Sequence, residues 1–335
     1  MKPIGLLHLV GCWILLAVGW FMGSAVAASS TDEPPTSMAA TLAEPARHAL
    51  VIGNSRYVTV SALPNVANDM ADMCAALRRL RFQVTCLADL PTRNDFIAAV
   101  TAFIASVPPG THAMFYYAGH AVQVSGENYL IPTGVNGNAS HGWMSQFVRL
   151  SEIFQIAERT RAGFQFMVLD ACRDNPDAAE APPGAIATGM NQLRSMMSAI
   201  RGGGRFSATY GMASVRDAPS NTLVLFATGA GTSAFDGQGE RNGPLTKHLL
   251  VQMQRPRLSI DQVVKNVIQL VGDDTERRFK QRQSPSLYGT FTGEFCFDRC
   301  PPSQQQLEEE RRRAQDTLRR RTERERREST VVPAL

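Results

Sequence analysis

Several sequence signatures of known enzyme and metal sites are missing from this sequence of 335 residues. It has neither the Gly-x-Ser-x-Gly elbow of serine hydrolases nor a Walker phosphate-binding loop. Cys296 and Cys300 lack the second pair of ligands that a zinc site requires. Residues 229–234 fit a dinucleotide-binding glycine pattern, but Gly, Asn and Asp follow where a helix should begin. We therefore predict no cofactor and no metal.

The chain also lacks a strongly charged body. Its net charge is +4, and nine arginines lie between Arg311 and Arg327, so the rest is close to neutral and no nucleic-acid partner is predicted. Residues 301–335 form a charged tail with few apolar residues, too few for a coiled coil. A solvated or partly disordered helix is favoured. The alternative is an interaction tail; if it bound anionic membranes or nucleic acid, salt would weaken that binding and truncation after Pro302 would abolish it.

Long apolar runs are confined to the N-terminus. Residues 1–27 combine an early lysine, an apolar stretch and the sequence Ala25-Val26-Ala27, which predicts a cleaved signal peptide and export to the periplasm or medium. Residues 4–22 are just long enough to span a bilayer, so an uncleaved membrane anchor is the alternative, and residues 9–12 resemble a lipoprotein acylation site. Residues 28–46 are predicted to be a linker.

Cysteine is scarce, and export permits disulfides. Five cysteines follow the predicted signal peptide. Cys74 with Cys86 and Cys296 with Cys300 are candidate pairs, which would leave Cys172 as the free thiol. The alternative is that all five are reduced, buried small residues.

Apolar strands alternate with amphipathic helices from residue 47 to residue 297. This order predicts an α/β fold with a parallel sheet that is covered on both faces. The predicted strands are 48–53, 82–87, 112–118, 164–170, 222–228 and 286–297, and the predicted helices are 66–80, one opened by Thr92, 151–161, 243–253 and 260–273. Residues 177–210 interrupt the pattern and are interpreted as a mobile insert.

Two of these strands lead directly into reactive side chains. The strand at 112–118 is followed by His120, and the strand at 164–170 is followed by Cys172. Ligands of open α/β sheets bind outside the carboxyl ends of the strands, so both side chains are predicted to share a site. A thiol beside a histidine is an activated nucleophile.

Four stretches together resemble the caspase-like cysteine peptidases, specifically their bacterial metacaspase-type branch. They are 49–54 with 63–69, 116–120, 169–176, and 227–228 through 233–237. The resemblance covers about residues 47–297. It implies a three-layer α/β/α sandwich with a mostly parallel central sheet of about six strands, with a large-subunit region at 47–176 and a small-subunit region at 211–300.

The resemblance also implies an endopeptidase mechanism. Cys172 would attack the scissile carbonyl as a thiolate, His120 would protonate the leaving amine, and the backbone N–H groups of Ala121 and Cys172 would hold the oxyanion. The family usually has glycine where this chain has Ala121, and alanine resists a positive φ. No side chain that orients His120 can be named from the sequence, although a backbone carbonyl would suffice.

Three acids match the family's substrate pocket. Asp170 lies two residues before Cys172, Asp69 matches a second acid of the metacaspase pocket, and Asp236 aligns more loosely as a third. Carboxylates repel an acidic P1 side chain and pair with a guanidinium, so cleavage after Arg or Lys is predicted. Ala118 replaces a serine that the family often has.

Three arginines in the insert, Arg194, Arg201 and Arg205, are candidate self-cleavage sites, and the alternative is an uncleaved linker. Calcium activates some metacaspases, but the acids of that site do not line up here. A second hypothesis for the whole chain is a catalytically silent caspase-like module that serves as a partner-binding scaffold.

Overall fold

The computed structural model describes residues 45–124, 126–136, 143–172, 215, 218–229, 234–235, 237, 239–302 and 304–330. The predicted signal peptide, nearly all of the predicted linker and the insert at 177–210 lie outside these ranges. Within them, no helix combines the length and the apolar character needed to cross a membrane.

A six-stranded sheet forms the centre of the fold. Its order is β2-β1-β3-β6-β7-β8; the first five strands are parallel, and β8 runs antiparallel to β7. The strands are β1 (Arg47–Gly53), β2 (Gln83–Ala88), β3 (His112–Val124), β4 (Glu127–Leu130), β5 (Val148–Arg149), β6 (Phe164–Cys172), β7 (Thr222–Phe226) and β8 (Ser286–Thr290). The prediction of a mostly parallel sheet of about six strands is confirmed.

Helices cover both faces of this sheet. The covering helices are α1 (Pro64–Arg79), α2 (Arg93–Ser106), α3 (Leu150–Ala157), α4 (Pro244–Met253) and α5 (Ile260–Phe279), and the exposed tail helix α6 (Gln304–Thr330) follows them along the chain. Apolar residues of α1, α4 and α5 form one core with the sheet, and those of α2 and α3 form the other. The predicted three-layer sandwich is therefore correct. Local signals start two of the helices, because Thr92 accepts a hydrogen bond from the Asp95 N–H at 3.1 Å and Ser259 forms a capping box.

Alternate residues of β6 enter the two cores, which is why the strand reads as a continuous apolar run. Phe166 and Val168 face the core with α1, α4 and α5, whereas Met167 and Leu169 face the core with α2 and α3. Asp170 has the parity of Phe166 and Val168, so the strand directs its side chain towards α1 and α4.

Some predicted boundaries are wrong. The strand predicted at 112–118 continues through His120 to Val124, where β3 pairs with β4, and β4 pairs with β5. The last strand ends at Thr290, because the aromatic residues beyond it pack as a loop; the ring centroids of Phe295 and Phe164 are 4.8 Å apart. Helix α3 ends at Ala157, and α5 continues to Phe279.

Both candidate cysteine pairs form disulfides. The Cα atoms of Cys74 and Cys86 are 6.4 Å apart, and those of Cys296 and Cys300 are 5.2 Å apart. Among the described residues, one group could offer ligands to a metal ion, and it consists of Glu294, Cys296 and Cys300. The sulfur atoms of the two cysteines are bonded to each other in the disulfide. Cys172 is therefore the one cysteine between residues 47 and 300 outside these bonds.

The charged tail forms α6, whose side chains are exposed wherever they are described. Pairs such as Arg319 with Glu323 and Arg321 with Glu325 join successive turns. Exposed pairs of this kind stabilise a helix only slightly, by about 0.3–0.5 kcal/mol each.

Candidate active site

Adjacent strands bring His120 and Cys172 together at the carboxyl end of the parallel sheet. In the register of β3 and β6, Cys172 lies opposite His120 and Asp170 lies opposite Ala118. The side chain of Cys172 is not among those the structure describes, so this is a placement of its backbone. The two predicted site positions are therefore neighbours, as their places after two buried strands suggested.

A backbone carbonyl orients the His120 ring. Nε2 lies 2.9 Å from the carbonyl oxygen of Ser61, so Nε2 carries the hydrogen and Nδ1 is left as the basic nitrogen. The residue is only 4% exposed, and this burial lowers the pKa of His120, while the bond to Ser61 acts in the opposite direction.

Gly119 has no room for a side chain. A Cβ there would lie 2.6 Å from the hydroxyl oxygens of both Tyr57 and Tyr117. Each of these hydroxyls also bonds the backbone of His120, Tyr57 at the N–H and Tyr117 at the carbonyl. The absence of a side chain at Gly119 therefore allows the hydroxyls of Tyr57 and Tyr117 to reach the backbone of His120.

The predicted oxyanion donors, Ala121 and Cys172, lie on the seam between β3 and β6. The backbones of His112 and Ala118 form hydrogen bonds on the side of β3 that faces β1. Because the direction of the backbone polar groups alternates along a strand, the Ala121 N–H points to the opposite side, towards β6. The Leu169 carbonyl forms a hydrogen bond on the side of β6 that faces β7. By the same alternation, the Cys172 N–H points towards β3. Ala121 does not have a positive φ and pairs regularly with Leu130, so alanine at this position is not strained.

Two of the three predicted pocket acids converge on the start of α4. The Gly243 N–H donates to Oδ1 of Asp69 at 3.1 Å, and the Thr246 hydroxyl donates to Oδ2 of Asp170 at 2.5 Å. A Cβ on Gly243 would lie 3.5 Å from Oδ2 of Asp69 and 3.7 Å from Oδ2 of Asp170. Both carboxylates thus border one small space, where the helix N-terminus favours negative charge.

The carboxyl group of Asp170 has a strongly raised pKa. Burial raises the pKa of Asp170 to about 6, and hydrogen bonds from the hydroxyl and the N–H of Thr246 act against that shift. Thr246 uses its one hydroxyl hydrogen for Asp170, so it must accept from Tyr116, 2.5 Å away. Burial, followed by the charges of Asp170 and Asp69, raises the pKa of Tyr116, which keeps this phenol a donor.

Ion pairs fix the loop that leads into α4. Asp72 on α1 holds Arg241 in bidentate fashion, at 2.7 and 2.8 Å, and also accepts from Asn242 at 3.0 Å. Hydrogen bonds from Arg241 are the main reason that the pKa of Asp72 is lowered. On the other side Glu240 pairs with Lys247 at 2.7 Å. The backbone at Gly243 is therefore held between α1 and α4.

Asp236, the third predicted acid, lies outside the described residues. Its neighbour Phe235 donates its N–H to Gln283 at 2.9 Å and stacks on Phe279 with ring centroids 4.3 Å apart. Gly237 accepts from Asn65 on α1 at 3.4 Å. The candidate self-cleavage sites, Arg194, Arg201 and Arg205, also lie outside the described ranges.

Comparison with known proteins defines the class. Residues 46–296, about three quarters of the chain, match the family model described as the caspase domain. The chain therefore belongs to the caspase domain family, and this membership supports a cysteine peptidase at the family level.

Two curated proteins show similarity over a shorter stretch. They are the mucosa-associated lymphoid tissue lymphoma translocation protein 1 of Homo sapiens and its homolog in Mus musculus. Each is 28% identical over 136 residues, which is 40% of this chain and 16% of the relative. The chain thus spans about a sixth of the length of the curated relatives it matches.

Several residues of the site were not identified from the sequence. Tyr57 and Ser61 contact His120, Gly243 and Thr246 contact the two acids, and Tyr116 bonds Thr246, but no sequence pattern indicated any of these contacts. Tyr116 was visible as part of a strand, but its partner Thr246 is 130 positions away along the chain.

Proposed function

We propose that the protein is a cysteine endopeptidase of the metacaspase type that cleaves peptide bonds after Arg or Lys. Cys172 and His120 form the catalytic dyad, and Asp69 and Asp170 form the P1 pocket. The observation that carries the specificity is the convergence of both carboxylates on Gly243. Membership of the caspase domain family supports the peptidase class.

The dyad acts in two stages. The Cys172 thiolate attacks the scissile carbonyl carbon, a C–S bond forms, and the carbonyl oxygen takes up negative charge near the N–H groups of Ala121 and Cys172. The C–N bond then breaks as protonated His120 gives its Nδ1 proton to the leaving amine. Water then attacks the thioester carbonyl carbon while His120 accepts a proton from it, the C–S bond breaks, and the Cys172 thiolate and protonated His120 are regenerated.

The pocket selects its substrate by charge. At neutral pH Asp170 is ionised, since its pKa is about 6, and Asp69 adds a second carboxylate. An acidic P1 side chain would add a third negative charge to a buried site, whereas a guanidinium pairs with both acids. Asp170 lies two residues before Cys172 along β6, about 7 Å at the usual strand rise, so the P1 side chain reaches the pocket while its carbonyl lies at the thiol.

Export to the periplasm or the medium is part of the proposal. The N-terminal signal pattern supports it, and the two disulfides fit an oxidising compartment. The two disulfides use the other four cysteines between residues 47 and 300 and exclude Cys172, which fits a thiol available for chemistry.

Fluorogenic peptides with Arg, Lys or Asp at P1 test the proposal. Wild-type protein is expected to hydrolyse the Arg and Lys peptides, and Cys172→Ala is expected to abolish this activity. Asp69→Asn should reduce kcat/KM for the Arg peptide, whereas Asp273→Asn, which changes an exposed partner of Arg282, should not. Hydrolysis of the Asp peptide alone would refute the pocket assignment, and no hydrolysis of any peptide would favour a silent scaffold.

A further inference from the structure

The loop between β1 and α1, residues 54–63, encloses His120; we refer to it as the histidine loop. It contacts His120 in three ways. The Ser61 carbonyl bonds Nε2 at 2.9 Å, the Tyr57 hydroxyl accepts the His120 N–H at 2.8 Å, and the Tyr57 ring lies against the imidazole with centroids 4.6 Å apart.

We propose that Tyr57 is a positioning residue that sets the place and the solvation of the His120 imidazole. The proposal rests on the proposed function, in which His120 is the general acid of the dyad. Tyr57 itself does not touch the reacting atoms; it acts through His120.

The hydroxyl of Tyr57 accepts a backbone hydrogen bond at a point where β3 has no neighbouring strand to accept it. Strand β3 bonds β1 through Ala118, but β1 ends at Gly53, so the next N–H on that side of β3, that of His120, has no strand partner. Tyr57 supplies the acceptor. A buried N–H without an acceptor is unfavourable, so the phenol fixes the backbone from which the imidazole projects.

A second phenol completes the arrangement. The Tyr117 hydroxyl donates to the His120 carbonyl at 2.7 Å and lies 3.5 Å from the Tyr57 hydroxyl. Burial raises the pKa of Tyr57 well above its ordinary value, so the phenol stays neutral at any working pH. The His120 backbone is thereby held at both of its polar atoms.

The histidine loop is itself held by several hydrogen bonds. Asp89, which follows β2, accepts the N–H groups of Ser55 and Arg56 at 2.7 and 2.8 Å and the Arg56 side chain at 2.7 Å. Ser55 and Leu63 bond each other in both directions, which closes the loop. A positioning residue requires support of this kind, because a residue that is itself loosely held cannot keep its neighbour in a fixed position.

Three variants isolate the two roles of Tyr57. Tyr57→Phe removes the hydroxyl and keeps the ring, Tyr57→Leu removes both, and Tyr288→Phe is the matched control, a hydroxyl deletion on β8, three strands from β3. We measure kcat and KM with the Arg peptide. NMR gives the pKa of His120, whose signal is identified by its loss in His120→Gln.

Tyr57→Phe is expected to lower kcat by about 10- to 100-fold with KM within twofold, because misplacing a catalytic group affects the chemical step. Tyr57→Leu is expected to raise the pKa of His120 towards 6.5, since the ring no longer shields the imidazole from water. Tyr288→Phe should change neither quantity.

The proposal is overturned if Tyr57→Phe retains wild-type kcat. It is equally overturned if the lower kcat of Tyr57→Phe is fully explained by a smaller folded fraction of the variant, which urea unfolding measures. It is also overturned if Tyr57→Leu leaves the pKa of His120 unchanged. If wild-type protein hydrolyses no peptide, the proposed function fails, and the NMR titration still decides whether Tyr57 controls His120.

Discussion

Replacing Asp170 with Asn is expected to impair catalysis and to stabilise the fold at the same time. Asp170 is half-buried in the folded protein, with its carboxyl beside Asp69 at the start of α4, and this partial removal from water disfavours the charged form. Asn keeps an oxygen that can accept the bonds from Thr246 but carries no charge. An ordinary damaging substitution would lower both activity and stability.

The size of the stabilisation follows from the pKa. Folding raises the pKa of Asp170 from 3.8 to about 6, and each pKa unit corresponds to ~1.4 kcal/mol, so ionising it costs the folded state about 3 kcal/mol. The amide donors of Asn need partners of their own. We therefore expect Asp170→Asn to raise the free energy of unfolding by about 1–3 kcal/mol at pH 8.

The pH dependence has a definite sign. Well below pH 3.8 the carboxyl is neutral in both the folded and the unfolded wild-type chain, so its ionisation contributes nothing to the difference in stability between wild type and the variant. As the pH rises from about 4 to about 6, the unfolded chain loses the proton first, and wild type loses stability relative to the variant. Catalytic efficiency towards the Arg peptide should change in the opposite way and fall in wild type as the pH drops through about 6.

Urea unfolding with the disulfides intact, at pH 4 and pH 8, measures the first quantity, and kcat/KM for the Arg and Lys peptides measures the second. Asp273→Asn removes an exposed carboxylate and serves as the control. If Asp170→Asn were less stable than wild type at pH 8, or equally active on the Arg peptide, the assignment of Asp170 as a buried, cation-binding carboxylate would be wrong.

Further predictions concern the walls of the pocket and the disulfides. Gly243→Val should raise KM for the Arg peptide more than Gly243→Ala, because added carbon fills the space between the two acids; equal KM values would contradict this. Asp72→Asn should raise KM for the same peptide several-fold by freeing Arg241, with Asp273→Asn again unaffected, and an unchanged KM would show that the loop needs no anchor. Joint replacement of Cys74 and Cys86 by Ser should lower the free energy of unfolding by about 2–4 kcal/mol without slowing alkylation of Cys172, and slower alkylation would contradict the separation of structural from reactive cysteines.

The sheet was predictable from the sequence because each buried strand is marked by its own residues. Phe166–Leu169 is apolar on both faces and ends in polar residues, and a parallel strand covered by two layers of helices requires both features. The placement of His120 opposite Cys172 followed from the same logic, since neighbouring parallel strands end at one edge.

Other parts depend on contacts between residues distant in the chain. The sequence does not show that β3 continues past His120, because pairing with β4 rather than local composition extends the strand. Thr246 resembles any residue in the first turn of a helix until the fold brings Asp170 to it. Tyr57 has a role only because β1 stops at Gly53 and leaves the His120 N–H without a strand partner.

The proposed activity is that of a Cys172-dependent peptidase that is specific for basic P1 residues. A mixture of peptides with all residues represented at each position, incubated with wild-type protein and with Cys172→Ala, tests it most directly when every new terminus is sequenced by mass spectrometry. We predict new termini after Arg and Lys in the wild-type sample and none in the Cys172→Ala sample. Cleavage after Asp, or cleavage that persists without the Cys172 thiol, would contradict the account.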